Sequence, residues 1–74
     1  TTLFRSLFHK LKLWRKSKAI KENIKPYIIF SDSSLISIVN RLPKSIEELL
    51  QVRGVGEKKV EKYGDEILKL LSNE

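Results

Sequence analysis

Between Thr2 and Ile24 the chain carries neither proline nor glycine, and Leu3, Phe4, Leu7, Phe8 and Leu11 recur at the i, i+3/i+4 spacing of an amphipathic helix. One long helix therefore takes almost a third of the 74 residues, and the rest must fold against it. On a helical wheel those apolar residues, with Trp14 and Ala19, fill one arc, while Arg5, His9, Lys12 and Lys16 gather opposite. Leu13, Ile20 and Ile24 fall outside both arcs. They predict that the later half of the helix is covered from a second direction by the segment that follows.

A chain of 8.6 kDa has room for one domain over residues 1–74, and without cysteine its core must close by packing alone. The absence of cysteine leaves the redox compartment open. An apolar content of 41% beside 32% charged residues suits a folded domain rather than a disordered one. No apolar run approaches the roughly 18 residues that cross a bilayer, so no membrane partner is expected. The start at Thr1 suggests a fragment cut from something longer.

Pro26 is expected to end the first helix, because its ring disfavours the α region in the preceding residue. Tyr27, Ile28, Ile29 and Phe30 make a strand-like run with no second run to pair with, and read as an extended or 3-10 connector packed on that helix. Ser31 to Ser34 offer N-cap oxygens for a helix running to about Leu42 and stopped by Pro43. Ser45 and Glu48 form a capping box opening a short helix through Ile46, Leu49, Leu50 and Val52. Gly54-Val55-Gly56 breaks it. Glu57 to Tyr63 and, after Gly64, Asp65 to about Ser72 read as two further helices. The fold class is all-α, a compact bundle of about five helices with a hydrophobic connector after a long first helix.

Charge is unevenly placed. Residues 1–30 hold eight basic groups against Glu22, a net +7, whereas residues 31–74 hold seven basic and eight acidic, a net −1. A cationic surface confined to one segment is the footprint of a nucleic-acid binder, and less specifically of a protein that meets an acidic partner; a solvated helix face has the same pattern.

His9 is the one histidine, and no GxxxxGK[ST], HExxH or GxSxG spacing occurs, so neither catalysis, a metal nor a cofactor is expected. His9 among Arg5, Lys10 and Lys12 reads as solvent-facing or phosphate-touching. Glu47-Glu48 and Asp65-Glu66 sit in first helical turns and serve the macrodipole. Leu49-x-x-Val52-x-Gly54-Val55-Gly56-x-x-Lys59 resembles a helix-hairpin-helix turn. In such a turn Gly54 and Gly56 would expose amides to a phosphate, with Lys58 and Lys59 adding charge. The same glycines also fit a purely structural use, Gly54 as a left-handed C′ residue and Gly56 for close helix packing.

Five blocks in order carry a wider resemblance: Leu7-Phe8-x-x-Leu11-Lys12-x-Trp14-Arg15-x-x-x-Ala19, Pro26-Tyr27-Ile28-Ile29-Phe30-Ser31-Asp32-x-x-Leu35, Leu42-Pro43-x-Ser45-x-x-Glu48-Leu49, Val52-x-Gly54-Val55-Gly56-x-x-Lys59, and Tyr63-Gly64. Together they resemble the HRDC domain, the helicase and RNase D C-terminal domain, over nearly the whole chain. The resemblance implies a five-helix accessory domain of a RecQ-type or other helicase, or of an RNase D-type exonuclease, with catalysis elsewhere. It implies single-stranded or partly duplex DNA as ligand, RNA as a second possibility, and docking on the parent core or a repair partner as the alternative. A monomer is expected, in the nucleoid-associated cytoplasm of a bacterium or the nucleus of a eukaryote.

Carried over by position, Tyr27 matches the aromatic of the family's connector, either stacking on an unpaired base or buried against the first helix. Arg15 matches a basic position of the first helix, its stem packed and its guanidinium free for a phosphate, whereas Trp14 reads as packing. The expected contact set is Lys12, Arg15, Lys16, Lys18, Lys21, Lys25 and Tyr27, acting by phosphate neutralisation with little base readout. Gly54, Gly56, Lys58 and Lys59 form a possible secondary phosphate contact.

Overall fold

Helix α1 spans Thr2–Glu22 in the computed structural model, which describes residues 2–72; Thr1, Asn73 and Glu74 of the expected 1–74 domain lie outside the described residues. The helix stops before Pro26 is reached. Asn23 takes φ 56°, its N–H donates to the Ile20 carbonyl at 3.2 Å, and the Ile24 N–H donates to the Ala19 carbonyl at 3.0 Å. Those two bonds make a Schellman motif with asparagine at the left-handed position, so the stop belongs to Asn23 rather than to proline.

Pro26 instead opens a helix. It occupies the first position of α2 (Pro26–Ile29), where its missing N–H has no partner to lose. The expected extended or 3-10 connector is thus one α turn, closed by the Phe30 N–H on the Pro26 carbonyl at 3.3 Å. Ser31 Oγ accepts the Ser34 N–H at 3.1 Å and caps α3 (Asp32–Arg41), which ends where Leu42 turns left-handed at φ 47° before Pro43. Ser45 Oγ accepts the Glu48 N–H at 3.2 Å and caps α4 (Ile46–Leu50). The Glu48 carboxylate answers at 3.3 Å from the Lys44 N–H, one residue farther back than a reciprocal capping box requires.

The two expected last helices are one, α5 (Glu57–Ser72), running straight through Gly64. A Cβ on Gly64 would lie 2.9 Å from Ile46 Cδ1 and 3.2 Å from Val60 Cγ1. Glycine here permits α4 to press against α5 instead of ending a helix. Helix α1 packs on α2, α3 and α5, and Phe30, Leu11, Leu35, Ile38, Leu49 and Ile67 are fully buried between them. Phe30 sits in an aromatic group, its ring centroid 6.2 Å from that of Trp14 and 6.1 Å from that of Tyr63.

The predicted second stripe of α1 is only partly covered. Ile24 packs against the core, but Leu13 and Ile20 are exposed. The Schellman turn carries Ile24 back over Ala19, about 100° around the helix from Ile20, and leaves the other two outside.

Candidate nucleic-acid interface

The cations of α1 divide into two groups according to what they touch. Arg15, whose side chain is 11% exposed, donates from Nη1 to the Phe30 carbonyl at 2.9 Å and pairs through Nη2 with Asp32 at 2.8 Å. Phe30 is the extended residue after α2, so its carbonyl lacks a helical partner and takes an internal donor instead. The expectation of a free Arg15 guanidinium is therefore corrected: it fastens α1 to the start of α3. Lys18 pairs with Glu66 at 2.9 Å, and Trp14 Nε1 approaches the same carboxylate at 3.4 Å. Glu66 is held below the ordinary carboxylate range chiefly by the Lys18 hydrogen bond, with burial opposing and Lys21 contributing through its charge.

A second network closes the far end of α1. Glu22 pairs with Lys62 at 2.8 Å and accepts the Tyr63 hydroxyl at 2.8 and 2.9 Å on its two oxygens. Lys62 first and Tyr63 second hold the Glu22 carboxyl low. Burial, then the neighbouring Glu22 carboxylate, pushes the Tyr63 phenol up.

Lys12, Lys16, Lys21 and Lys25 are exposed, and among the described residues none of them is in an ion pair. Lys12 lies 5.3 Å from the Phe8 ring centroid. Arg5 and His9 are exposed on the same side as Lys12 and Lys16, and α1's one acid, Glu22, faces α5. Tyr27 is 64% exposed, which settles its placement: the ring is in solvent, not buried against α1. Trp14 packs as expected, edge-on to Tyr63 at 5.4 Å.

The glycine turn is arranged differently from the expectation. Gly54 is left-handed at φ 85°, as predicted, yet α4 is capped at Gln51, so Gly54 is no C′ residue. It is the third residue of a turn closed by the Val55 N–H on the Val52 carbonyl at 3.3 Å. Gly56 has open space where a Cβ would stand, so it serves no close packing; its carbonyl accepts the Val60 N–H at 3.0 Å. Lys59 lies 5.4 Å from the Phe30 ring centroid and Lys58 is exposed, but Glu57 occupies the first position of α5 and sets a negative charge where a phosphate would approach. Among the described residues no group of His, Asp or Glu is placed to hold a metal ion. No helix among them is long and apolar enough to cross a membrane.

Sequence reasoning passed over Glu22 and Asp32 and gave Asp65-Glu66 to the first turn of a last helix, whereas both lie in the middle of α5; Glu22, Asp32 and Glu66 are the acids that decide which cations remain available. Glu22 carried a signal, as the one acid in the first thirty residues.

A sequence model of the HRDC domain matches residues 4–71. The chain is 42% identical over 67 residues to the ATP-dependent DNA helicase RecQ of Haemophilus influenzae, covering 90% of this chain and 11% of that protein. It is 38% identical over 65 residues to the ATP-dependent DNA helicase UvrD2 of Mycobacterium tuberculosis, covering 88% of this chain and 9% of that one. The chain thus spans about a tenth of the curated relatives it matches. The solved structure of D. radiodurans RecQ HRDC domain 3 superposes with a TM-score of 0.91 at 27% identity, over 95% of this chain and 92% of that one.

Proposed function

The chain belongs to the HRDC domain family, and from that premise we propose that it is an accessory nucleic-acid-binding domain of a RecQ-type DNA helicase, with catalysis carried by other parts of the parent enzyme. One observation carries this reading: Lys12, Lys16 and Lys21 on α1 and Lys25 and Tyr27 just after it are exposed, while the carboxylates of Asp32, Glu66 and Glu22 are engaged by Arg15, Lys18 and Lys62. The ammonium groups neutralise phosphates without reading bases, and the Tyr27 ring offers a stacking surface to an unpaired base at about 1–3 kcal/mol. Arg15 and Lys18 act as scaffold and leave the contact set. A module making about 3–4 phosphate contacts binds in the range of roughly 10⁻⁴–10⁻⁶ M and serves by raising local concentration once tethered.

Titration with a short single-stranded oligonucleotide tests this. The slope of log K against log salt should lie near −2 to −3, at about −0.7 per phosphate, and Lys16→Glu with Lys21→Glu should weaken binding to every sequence. Tyr27→Ala should weaken it further without changing the slope. Amide shifts centred on Val52 to Val60, with duplex preferred, would transfer the site to the glycine turn. An absence of shifts at millimolar oligonucleotide would refute the proposal.

A further inference from the structure

Beyond Leu3 in its first turn, α1 leaves two large aliphatic side chains in solvent: Leu13 is 55% exposed and Ile20 72%. Their i, i+7 spacing places them on one face, about 10 Å apart along the axis. Lys16 stands between them, with Lys12 flanking one side of the strip and Lys21 the other. Phosphate neutralisation draws on the cations and gives no use to an exposed leucine and isoleucine among them. The one acid of α1, Glu22, is turned away from this face toward Lys62 and Tyr63, and Glu66 is paired with Lys18.

We propose that Leu13 and Ile20 are the apolar anchors of a docking strip for an acidic, amphipathic protein segment. The segment lies along α1 with its apolar side chains on Leu13 and Ile20 and its carboxylates on Lys12, Lys16 and Lys21. Charge selects this occupant. A second copy of the chain would set Lys16 and its neighbours against cations of the same kind. A lipid surface calls for a broad apolar face, and here two side chains stand in a cationic field. The strip shares its cations with the nucleic-acid site, so the two ligands compete.

The test uses a labelled synthetic helical peptide with two leucines spaced i, i+7 among glutamates, and a control peptide with serines in their place. The leucine peptide should bind saturably, and the serine peptide at least about tenfold more weakly. Leu13→Gln combined with Ile20→Gln, at exposed positions and with helix-forming residues, should cost the leucine peptide about tenfold and leave the oligonucleotide affinity within about twofold. Unlabelled oligonucleotide should displace the peptide. Equal affinity for both peptides, no loss in the double variant whose melt is unchanged, or binding to phosphatidylglycerol vesicles in place of the peptide would overturn the proposal. Peptide binding without oligonucleotide binding would support the strip and refute the nucleic-acid reading separately.

Discussion

Gly54→Ala tests the turn at the point where backbone and packing constraints coincide. At φ 85° a Cβ meets the backbone strain of the left-handed region, about 1–2 kcal/mol. The same Cβ would stand 2.7 Å from Ser34 Oγ, and Ser34 is buried at 6% exposure. That hydroxyl cannot simply swing aside, because it lies 3.1 Å from both the Gly54 carbonyl and Ser31 Oγ. Displacing it costs about a further 1–2 kcal/mol in buried hydrogen bonding. The sum is about 2–4 kcal/mol, or a melting temperature lower by roughly 10–25 °C for a domain of this size. Urea unfolding followed by circular dichroism should show the midpoint fall with the slope unchanged. A double-mutant cycle separates the two contributions: with Ser34→Ala in place, only the backbone strain should remain, and the cost of Gly54→Ala should drop to about 1–2 kcal/mol. A cost below about 0.5 kcal/mol in the parent chain, or one that Ser34→Ala leaves untouched, would refute the reasoning.

Arg15→Met should destabilise the fold by about 1–3 kcal/mol through loss of the Phe30 and Asp32 contacts, while leaving the salt dependence of oligonucleotide binding unchanged. A stable variant with a shallower salt slope would return Arg15 to the binding set. Because Glu22 titrates below its ordinary value of 4.5 when folded, its stabilisation is present above that value and is lost as pH falls through the lower folded value. Thermal melts of Glu22→Gln should therefore lie below the parent at neutral pH and converge on it in acid; a gap of constant size would contradict this. Asn23→Gly should raise stability by about 0.5–1 kcal/mol and Asn23→Ala lower it by about 1 kcal/mol, since only glycine takes the left-handed position without a Cβ penalty. Equal melts for the three residues would place the end of α1 elsewhere.

Local signals were legible in the sequence where a single residue decides the outcome. Ser31 and Ser45 cap the helices expected of them, and the apolar arc of α1 turns inward at Leu7, Leu11 and Ala19. Punctuation misled where a residue type has two uses. Pro26 starts a helix as readily as it ends one, and Gly64 answers to the approach of Ile46 from α4. Neither neighbour is visible from local spacing. The contact set was legible in outline from the placement of charge, but its division was not. Lys18 is withdrawn by Glu66, 48 positions away, and Arg15 by Asp32 and the carbonyl of Phe30, which became available only because α2 stops there.

The aromatic group around Phe30 also makes the chain its own optical instrument. Trp14 is the one tryptophan, packed in a three-ring cluster with Phe30 and Tyr63, with its indole N–H turned to Glu66 on α5. Separation of α1 from α5 would bare the indole to water and shift its emission to the red. Lys12 and Lys16 point about 160° away around the helix, and Lys21, nearer in angle, lies about 10 Å farther along it, so a ligand seated on these cations should leave that emission unchanged. Intrinsic fluorescence thus reports whether the bundle is closed, and a dye on the ligand reports whether the face is occupied. Both can be recorded from one cuvette for every variant proposed above.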